Sequence, residues 1–190
     1  MDTIYHYMFY LMWGIYLIYW WLKSSDVKES ERKESMPSRI VRFGVIVLAI
    51  VLLASPQISF VFLGDHFLEL GTARFWLGCL LTGVGLLFSV WGRRHLGKNW
   101  SQVVAIKEDH ELITSGPYSL VRHPIYSGLL LGFVGSAVAL GQVRGLIAVG
   151  LIFGVLWYKL RFEEKLLREH FGKAYQEYCV RVKALVPYLL

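Results

Sequence analysis

The chain has 190 residues and a mass of 21.9 kDa, which fits one compact unit. Hydrophobic residues make up 55% of it, charged residues only 18%, and the mean hydropathy is +0.46. An ordinary globular chain is about 25% charged, and the deficit here is concentrated in long runs without ionisable residues. This composition excludes a disordered chain and a disulfide-rich secreted fold, and it indicates a polytopic membrane protein.

The net charge is +6 and the isoelectric point is about 9.3. In a soluble protein this balance would suggest nucleic acid as a partner. Here membrane topology explains it better, so we expect contact with membrane lipids and not with nucleic acid. Cys79 lies in an apolar run and Cys179 in the polar C-terminal part, so no disulfide between them is predicted.

Five apolar segments predict transmembrane helices, each of which needs about 20 apolar residues, and the last two are marginal in length alone. The first is 4–22, which we keep as a helix of the mature protein because Lys23 follows it and Asp2 precedes it, unlike a signal peptide. The second is 43–63, with Pro56 interrupting it, and the third is 72–92. The run 125–158 breaks at 141–144, which predicts a helical hairpin that forms spans four and five.

The glycines of this hairpin recur at helical spacing. Gly128 and Gly132 lie on one helix and Gly150 and Gly154 on the other, each pair as G-x-x-x-G. Because such patterns allow helices to approach closely, both pairs are predicted to lie in helix interfaces.

The basic residues test the number of spans. Six lie in 23–42, five in 93–122 and seven from Lys159 onward, whereas only Arg74 and Arg144 fall on the other side. Because cytoplasmic loops are enriched in Lys and Arg, five spans place the N-terminus outside and the C-terminus in the cytoplasm.

Common catalytic signatures are absent from the sequence. It has no H-E-x-x-H, C-x-x-C, G-x-S-x-G or Walker motif. Its six histidines are too far apart in sequence to place two ligands on one helical face, so no metal site is predicted.

The polar stretch 99–124 is too long for a simple turn and has the mixed composition typical of a binding loop. Pro124 biases His123 away from helix and suits the first turn of span four. His123 and Tyr126 are therefore predicted at the cytoplasmic mouth of that span, where helix N-terminal amides can meet an anion. The alternative is that both residues anchor the chain at the membrane interface.

A second charged group follows span five. On a continuing helix Lys159 and Glu163 share a face, whereas Glu164 points about 100° away. Only one of the two glutamates is therefore predicted to face a given pocket. The alternative is a solvated ion pair. Beyond Gly172 the spacing predicts a further amphipathic helix, which ends at Pro187.

These two groups carry a resemblance to a known family. The segments TSGPYSLVRHPIYSG at 114–128 and EEKLLREHFGKAYQEYCVRV at 163–182, with the hairpin between them, resemble the isoprenylcysteine carboxyl methyltransferase family of integral-membrane methyltransferases. The resemblance covers 99–187. Together with the apolar segments it indicates an all-α, five-span fold in which 1–98 forms spans one to three. In that fold 99–190 joins a cofactor-binding loop, the hairpin and a cytoplasmic C-terminal helical extension that carries the catalytic group.

The family resemblance also implies S-adenosylmethionine as methyl donor and a prenylated or other lipid-like carboxylate as acceptor. Within that picture Glu163 suits the donor's ammonium, whereas His123 and Tyr126 suit its carboxylate or ribose. The full set of implied donor contacts is His110, Glu111, Leu112, Ile113, Tyr118, His123, Pro124, Ile125, Tyr126 and Glu163.

Methyl transfer to an ionised carboxylate needs orientation rather than a base. A cation should hold the acceptor, and Lys159, one turn before Glu163, is the candidate catalytic residue. Arg161 and Arg122 are the alternatives for this role. Eukaryotic relatives are expected to carry arginine at the position of Lys159, because a guanidinium can bind both oxygens of a carboxylate and an ammonium cannot.

Other functions stay open at this point. Related membrane enzymes methylate phospholipid amines, and sterol reductases that use NADPH resemble the same C-terminal region. A non-enzymatic membrane scaffold would need neither charged group.

Overall fold

A computed structural model describes residues 2–23, 36–55, 58, 61–68, 71–97 and 112–189. In these ranges the chain forms six α-helices, and their bounds are α1 Asp2–Leu22, α2 Met36–Ala54, α3 Thr72–Leu96, α4 Pro124–Leu140, α5 Val143–Phe171 and α6 Lys173–Arg181. Short 3-10 turns lie at Val61–Gly64 and Gly116–Ser119. No strand occurs in the described ranges, where a single β-bridge joins His66 and Gln142. The predicted all-α fold class is confirmed.

A proline and a glycine set the two ends of the first hairpin helix. Pro124 starts α4, where its missing N–H costs nothing. Gly141 ends α4 at φ +65° and donates its N–H to the carbonyl of Ala137, a left-handed conformation that glycine adopts without strain. α5 then runs for 29 residues without interruption. The apolar part of span five and the charged group after it are therefore one helix.

Two predicted helices end earlier in the structure than the sequence indicates. The second apolar segment was expected to run to residue 63, but α2 ends at Ala54. The reason is Pro56, because the residue before a proline is biased away from helix. The last helix was expected to reach Pro187, but α6 ends at Arg181.

Glycines form the seam between α3 and α4, the most extensive helix interface among the described residues. A Cβ on Gly85 would lie 2.6 Å from the carbonyl oxygen of Gly128, and one on Gly135 would lie 2.5 Å from the Thr82 nitrogen. The predicted close approach is therefore confirmed at Gly128. For Gly150 and Gly154 it is wrong, since no atom of the described residues lies within 4 Å of a Cβ built on either. α4 turns Gly128 and Gly135 to α3, whereas its Ala137 lies against α5, 3.1 Å from a Cβ built on Gly145.

The main apolar core lies between α2, α4 and α5 and includes Ala49, Phe133, Ile152 and Leu156. α1 joins this bundle through aromatic side chains. The Trp13 indole donates to the Ser136 hydroxyl at 3.1 Å and packs 4.8 Å from the Phe133 ring.

Two of the described helices, Thr72–Leu96 and Val143–Phe171, are long and apolar enough to cross a membrane. Shorter apolar helices cover Ile40–Ala54 and Pro124–Leu140. The architecture is thus a helical bundle with membrane-compatible helices.

Candidate active site

The hairpin brings the two predicted charged groups together. His123 stands directly before α4, and Glu163 lies twenty residues along α5 from Val143. Because α4 is 17 residues long and the helices run antiparallel, the start of α4 lies level with this part of α5. We call His123, Glu163 and Glu164 the histidine–glutamate cluster.

Glu163 occupies the more open side of the cluster, with 21% of its side chain exposed. Its Oε2 lies 3.5 Å from His123 Nδ1, and its Oε1 lies 3.9 Å from Lys159 Nζ. The Tyr126 hydroxyl donates a hydrogen bond to the same Oε1. This carboxylate therefore meets a cation, an imidazole and a hydroxyl, while part of it remains reachable.

Two rings and a cation stack beside Glu163. The rings of His123 and Tyr126 lie parallel, with an interplanar angle of 2° and centroids 5.5 Å apart. Lys159 Nζ lies 5.2 Å from the centroid of the Tyr126 ring. At this distance a cation is attracted to the face of an aromatic ring. The predicted juxtaposition of Lys159 and Glu163 is confirmed.

Glu164 lies on the other side of the imidazole and is nearly buried, with 8% of its side chain exposed. Arg122 donates to Glu164 Oε1 through Nε at 2.9 Å and also through Nη2. Arg168 Nη2 lies 3.5 Å from Oε2. Glu164 is thus held by two guanidinium groups.

The expectation that only one glutamate can face a given pocket needs correction. His123 Nε2 lies 3.5 Å from Glu164 Oε1, the same distance that separates Nδ1 from Glu163. The 100° between adjacent helical positions still holds, but the imidazole lies between the two carboxylates and approaches both.

The surroundings of His123 favour its charged form. Burial lowers the pKa of the imidazole, but the carboxylates of Glu163 and Glu164 outweigh this, so the pKa lies above its usual value of 6.5. Nε2 is buried and makes no bond of hydrogen-bond geometry to any residue in the described ranges. Its contact with Glu164 Oε1 at 3.5 Å is thus an ion pair without hydrogen-bond geometry.

The C-terminal segment 182–185 binds the backbone around His123, which sequence reasoning missed. The backbone N–H groups of Arg122 and His123 donate to the carbonyls of Lys183 and Ala184 at 2.8 and 3.0 Å. Ser127 Oγ donates to the Leu185 carbonyl at 2.6 Å. The apolar run 184–186 was the available signal in the sequence, because apolar side chains after the last helix indicate a segment that packs on something. In the structure Ala184 and Leu185 are buried.

Arg122 connects this segment to the cluster. Besides Glu164, its Nη1 donates to the carbonyl of Val182. Burial lowers the pKa of the guanidinium, but Glu164 raises it above its usual value. Arg122 therefore serves the internal structure of the site.

The other residues predicted to contact the methyl donor are more scattered. His110 and Glu111 lie outside the described residues, and Leu112 and Ile113 are half-buried. Tyr118 is buried, and its hydroxyl donates to the Gly92 carbonyl of α3 at 3.4 Å. The side chains of Pro124 and Ile125 pack on α3 around Gly92.

The fold and the site together define this protein as a bundle of membrane-compatible helices with a buried charged cluster at one end. A sequence profile described as phospholipid methyltransferase matches residues 73–174, just over half of the 190 residues. The chain therefore belongs to the phospholipid methyltransferase family, and the matched range contains the whole histidine–glutamate cluster.

Relatives with isoprenylcysteine in their names match between 49% and 60% of the chain. A probable protein-S-isoprenylcysteine O-methyltransferase of Oryza sativa subsp. indica is 36% identical over 96 residues, which cover 49% of this chain and 50% of the relative. Protein-S-isoprenylcysteine O-methyltransferase B of Arabidopsis thaliana is 35% identical over 99 residues, 49% of each chain. The Saccharomyces cerevisiae protein-S-isoprenylcysteine O-methyltransferase is 35% identical over 119 residues, 60% of this chain and 48% of the relative. The chain spans about half the length of these relatives.

Proposed function

We propose that this protein is an S-adenosylmethionine-dependent carboxyl O-methyltransferase that esterifies a prenylated cysteine or a similar lipid-like carboxylate. The observation that carries the proposal is the histidine–glutamate cluster with Lys159 beside it, located where apolar helices end. The relatives named above support the reaction and the acceptor class.

The residues present fit S-adenosylmethionine, the proposed methyl donor. Its amino-acid end has an ammonium, which suits the partly exposed carboxylate of Glu163. Its carboxylate and ribose suit the His123 imidazole, whose pKa is raised, and the nearby Tyr126. When bound, the donor supplies an electrophilic methyl group on a sulfonium.

The chain's own part in the reaction is positioning. An acceptor carboxylate is ionised at neutral pH, so its oxygen forms the new bond to the methyl carbon while the carbon–sulfur bond breaks, and no proton has to move. The site has to align these atoms and exclude water.

Lys159 is the proposed cation for the acceptor. It lies within one helical turn of Glu163, so an anion bound by Lys159 would lie close to a donor bound by Glu163. Of its rivals, Arg122 is bound to Glu164 and to the C-terminal segment. Arg161 lies 6.0 Å from the Trp157 ring centroid on an exposed part of α5.

We further propose a multi-pass arrangement of five spans with the N-terminus outside and the site in the cytoplasm. Large apolar side chains on the bundle surface support it, among them Leu17 at 62%, Phe43 at 69% and Leu87 at 70% exposure. Such a surface needs an apolar environment. In that arrangement a lipid-like acceptor enters from the bilayer and a water-soluble donor from the cytoplasm.

The test is a transfer assay with donor labelled in its methyl group and a prenylated cysteine analogue as acceptor. We expect label that mild alkali releases as methanol, because an ester hydrolyses and a methylated amine does not. Lys159→Ala should lower turnover with donor binding nearly intact, and Lys159→Arg should retain activity. Full activity in the alanine variant would remove Lys159 from the site.

A second candidate, methylation of a phospholipid amine, is favoured by the description of the matching family. A phosphatidylethanolamine acceptor and alkali-stable label would identify it. Thermal stabilisation by S-adenosylhomocysteine separates both methyltransferases from a sterol-type reductase, which NADPH would stabilise instead.

A further inference from the structure

Arg42 lies on α2, outside the range that matches the family profile. Its side chain is half-buried. Ile46 and Ala49 follow it at four and seven residues, and both belong to the apolar core between α2, α4 and α5. Because these spacings return to the same side of a helix, Arg42 belongs to the α2 face that packs on this core.

The pairing of α2 with α5 places Arg42 at the level of the cluster. At the other end of the two helices the Arg144 guanidinium donates to the Ser55 carbonyl. Arg42 lies thirteen residues before Ser55, and Trp157 lies thirteen residues after Arg144. Because the helices run antiparallel with the same rise, about 1.5 Å per residue, Arg42 lies level with Trp157, less than one turn from Lys159.

Lys159 already lies beside the cluster, with its Nζ 5.2 Å from the Tyr126 ring centroid. The helix register places Arg42 level with the same part of α5. Basic residues of two different helices therefore lie at the level of the cluster. Of the two, only arginine has the planar fork that can bind both oxygens of a carboxylate.

We infer that Arg42 binds the acceptor, and that it and Lys159 together hold the acceptor's carboxylate between α2 and α5. This inference rests on the proposed function, because it names the residue that recognises that substrate. The donor contacts then lie within the family-matched part of the chain, whereas recognition of the acceptor also uses the N-terminal part.

The test compares Arg42→Gln with the matched control Arg181→Gln, which removes an exposed cation at the end of α6. Three quantities are measured: the KM for a prenylated cysteine analogue, competition by its neutral carboxamide, and the Kd of S-adenosylhomocysteine. We expect Arg42→Gln to raise the acceptor KM roughly 10- to 100-fold, the effect of one charge-assisted contact. The variant should also lose the preference for carboxylate over carboxamide, with the Kd of S-adenosylhomocysteine unchanged. Arg42→Lys should recover part of the preference, and Arg181→Gln should match the wild type.

The outcomes separate the two ideas. If the wild-type protein forms no alkali-labile product, the proposed function fails. If it forms the ester and Arg42→Gln keeps the wild-type KM and carboxylate preference, the inference about Arg42 fails alone. A parallel loss of S-adenosylhomocysteine binding would assign Arg42 to the fold and also overturn the inference.

Discussion

At the level of single residues, the two adjacent glutamates differ in burial and in the groups that they meet. Glu163 is 21% exposed and meets Lys159 and Tyr126, whereas Glu164 is 8% exposed and is held by Arg122 and Arg168. A carboxylate that remains reachable can accept a ligand. One that is enclosed by guanidinium groups holds the structure.

We expect Glu163→Gln to weaken binding of S-adenosylhomocysteine more than Glu164→Gln does. Loss of a charge-assisted contact in a partly buried site costs roughly 1.5 to 3 kcal/mol. Calorimetric titration of both variants measures this order. Equal affinities, or a larger loss in Glu164→Gln, would contradict the role given to Glu163.

Thermal stability should show the opposite order. Removing one member of a buried ion pair leaves the other charge uncompensated and costs about 3 to 5 kcal/mol. Glu164→Gln leaves Arg122 in that position, so its Tm should fall well below that of Glu163→Gln. The prediction fails if thermal denaturation gives the two variants the same Tm.

Protonation of His123 should make the thermal stability of the folded protein depend on pH. The pKa of its imidazole is raised in the folded state by Glu163 and Glu164. The stabilisation from these charge contacts is therefore complete below the unfolded pKa of about 6.5. It is lost as the pH rises through the higher folded pKa. We expect Tm to decline above pH 6.5 and His123→Asn to flatten that decline. His170→Asn, at an exposed position, serves as the control and should keep the wild-type slope.

At the level of helices, small residues decide which neighbours pack closely. A Cβ on Gly85 would meet the backbone of α4 at 2.6 Å, whereas one on Gly150 would meet no atom within 4 Å in the part of the chain that the structure describes. The G-x-x-x-G pattern identified candidate surfaces on both hairpin helices, but the pattern is the same on a helix that packs through it and on one that does not.

Gly85→Ala should therefore destabilise the bundle by about 1 to 3 kcal/mol, the usual cost of overpacking. Gly150→Ala, a matched change in α5, should be neutral or stabilising by up to about 1 kcal/mol, because alanine favours helix over glycine. Thermal denaturation in detergent compares them. Equal destabilisation by both changes would contradict the assignment of the α3–α4 seam.

At the level of the whole molecule, the placement of basic residues predicts which end faces the cytoplasm. Asp65 and Lys173 are both exposed, the first between α2 and α3 and the second at the start of α6. In a cysteine-free background, a cysteine introduced at Asp65 should react with a reagent confined to the outside, and one at Lys173 should not. Labelling at Lys173 and protection at Asp65 would reverse the proposed orientation.

The sequence by itself determined the order and type of the helices, and it paired His123 with Tyr126 and Lys159 with Glu163 as close neighbours along the chain. These features depend on apolar runs, on Pro124 and Gly141 at helix ends, and on the spacing of side chains along one helix. All of them act over a few residues, so a linear pattern records them.

Only the tertiary structure decided which surfaces meet. The imidazole between Glu163 and Glu164, the backbone bonds from Arg122 and His123 to the C-terminal segment, and the α3–α4 seam join residues that are distant along the chain. Helical periodicity states where a side chain points relative to its own axis. Which neighbour it meets there depends on how the helices pack, because packing selects among many apolar faces of similar character.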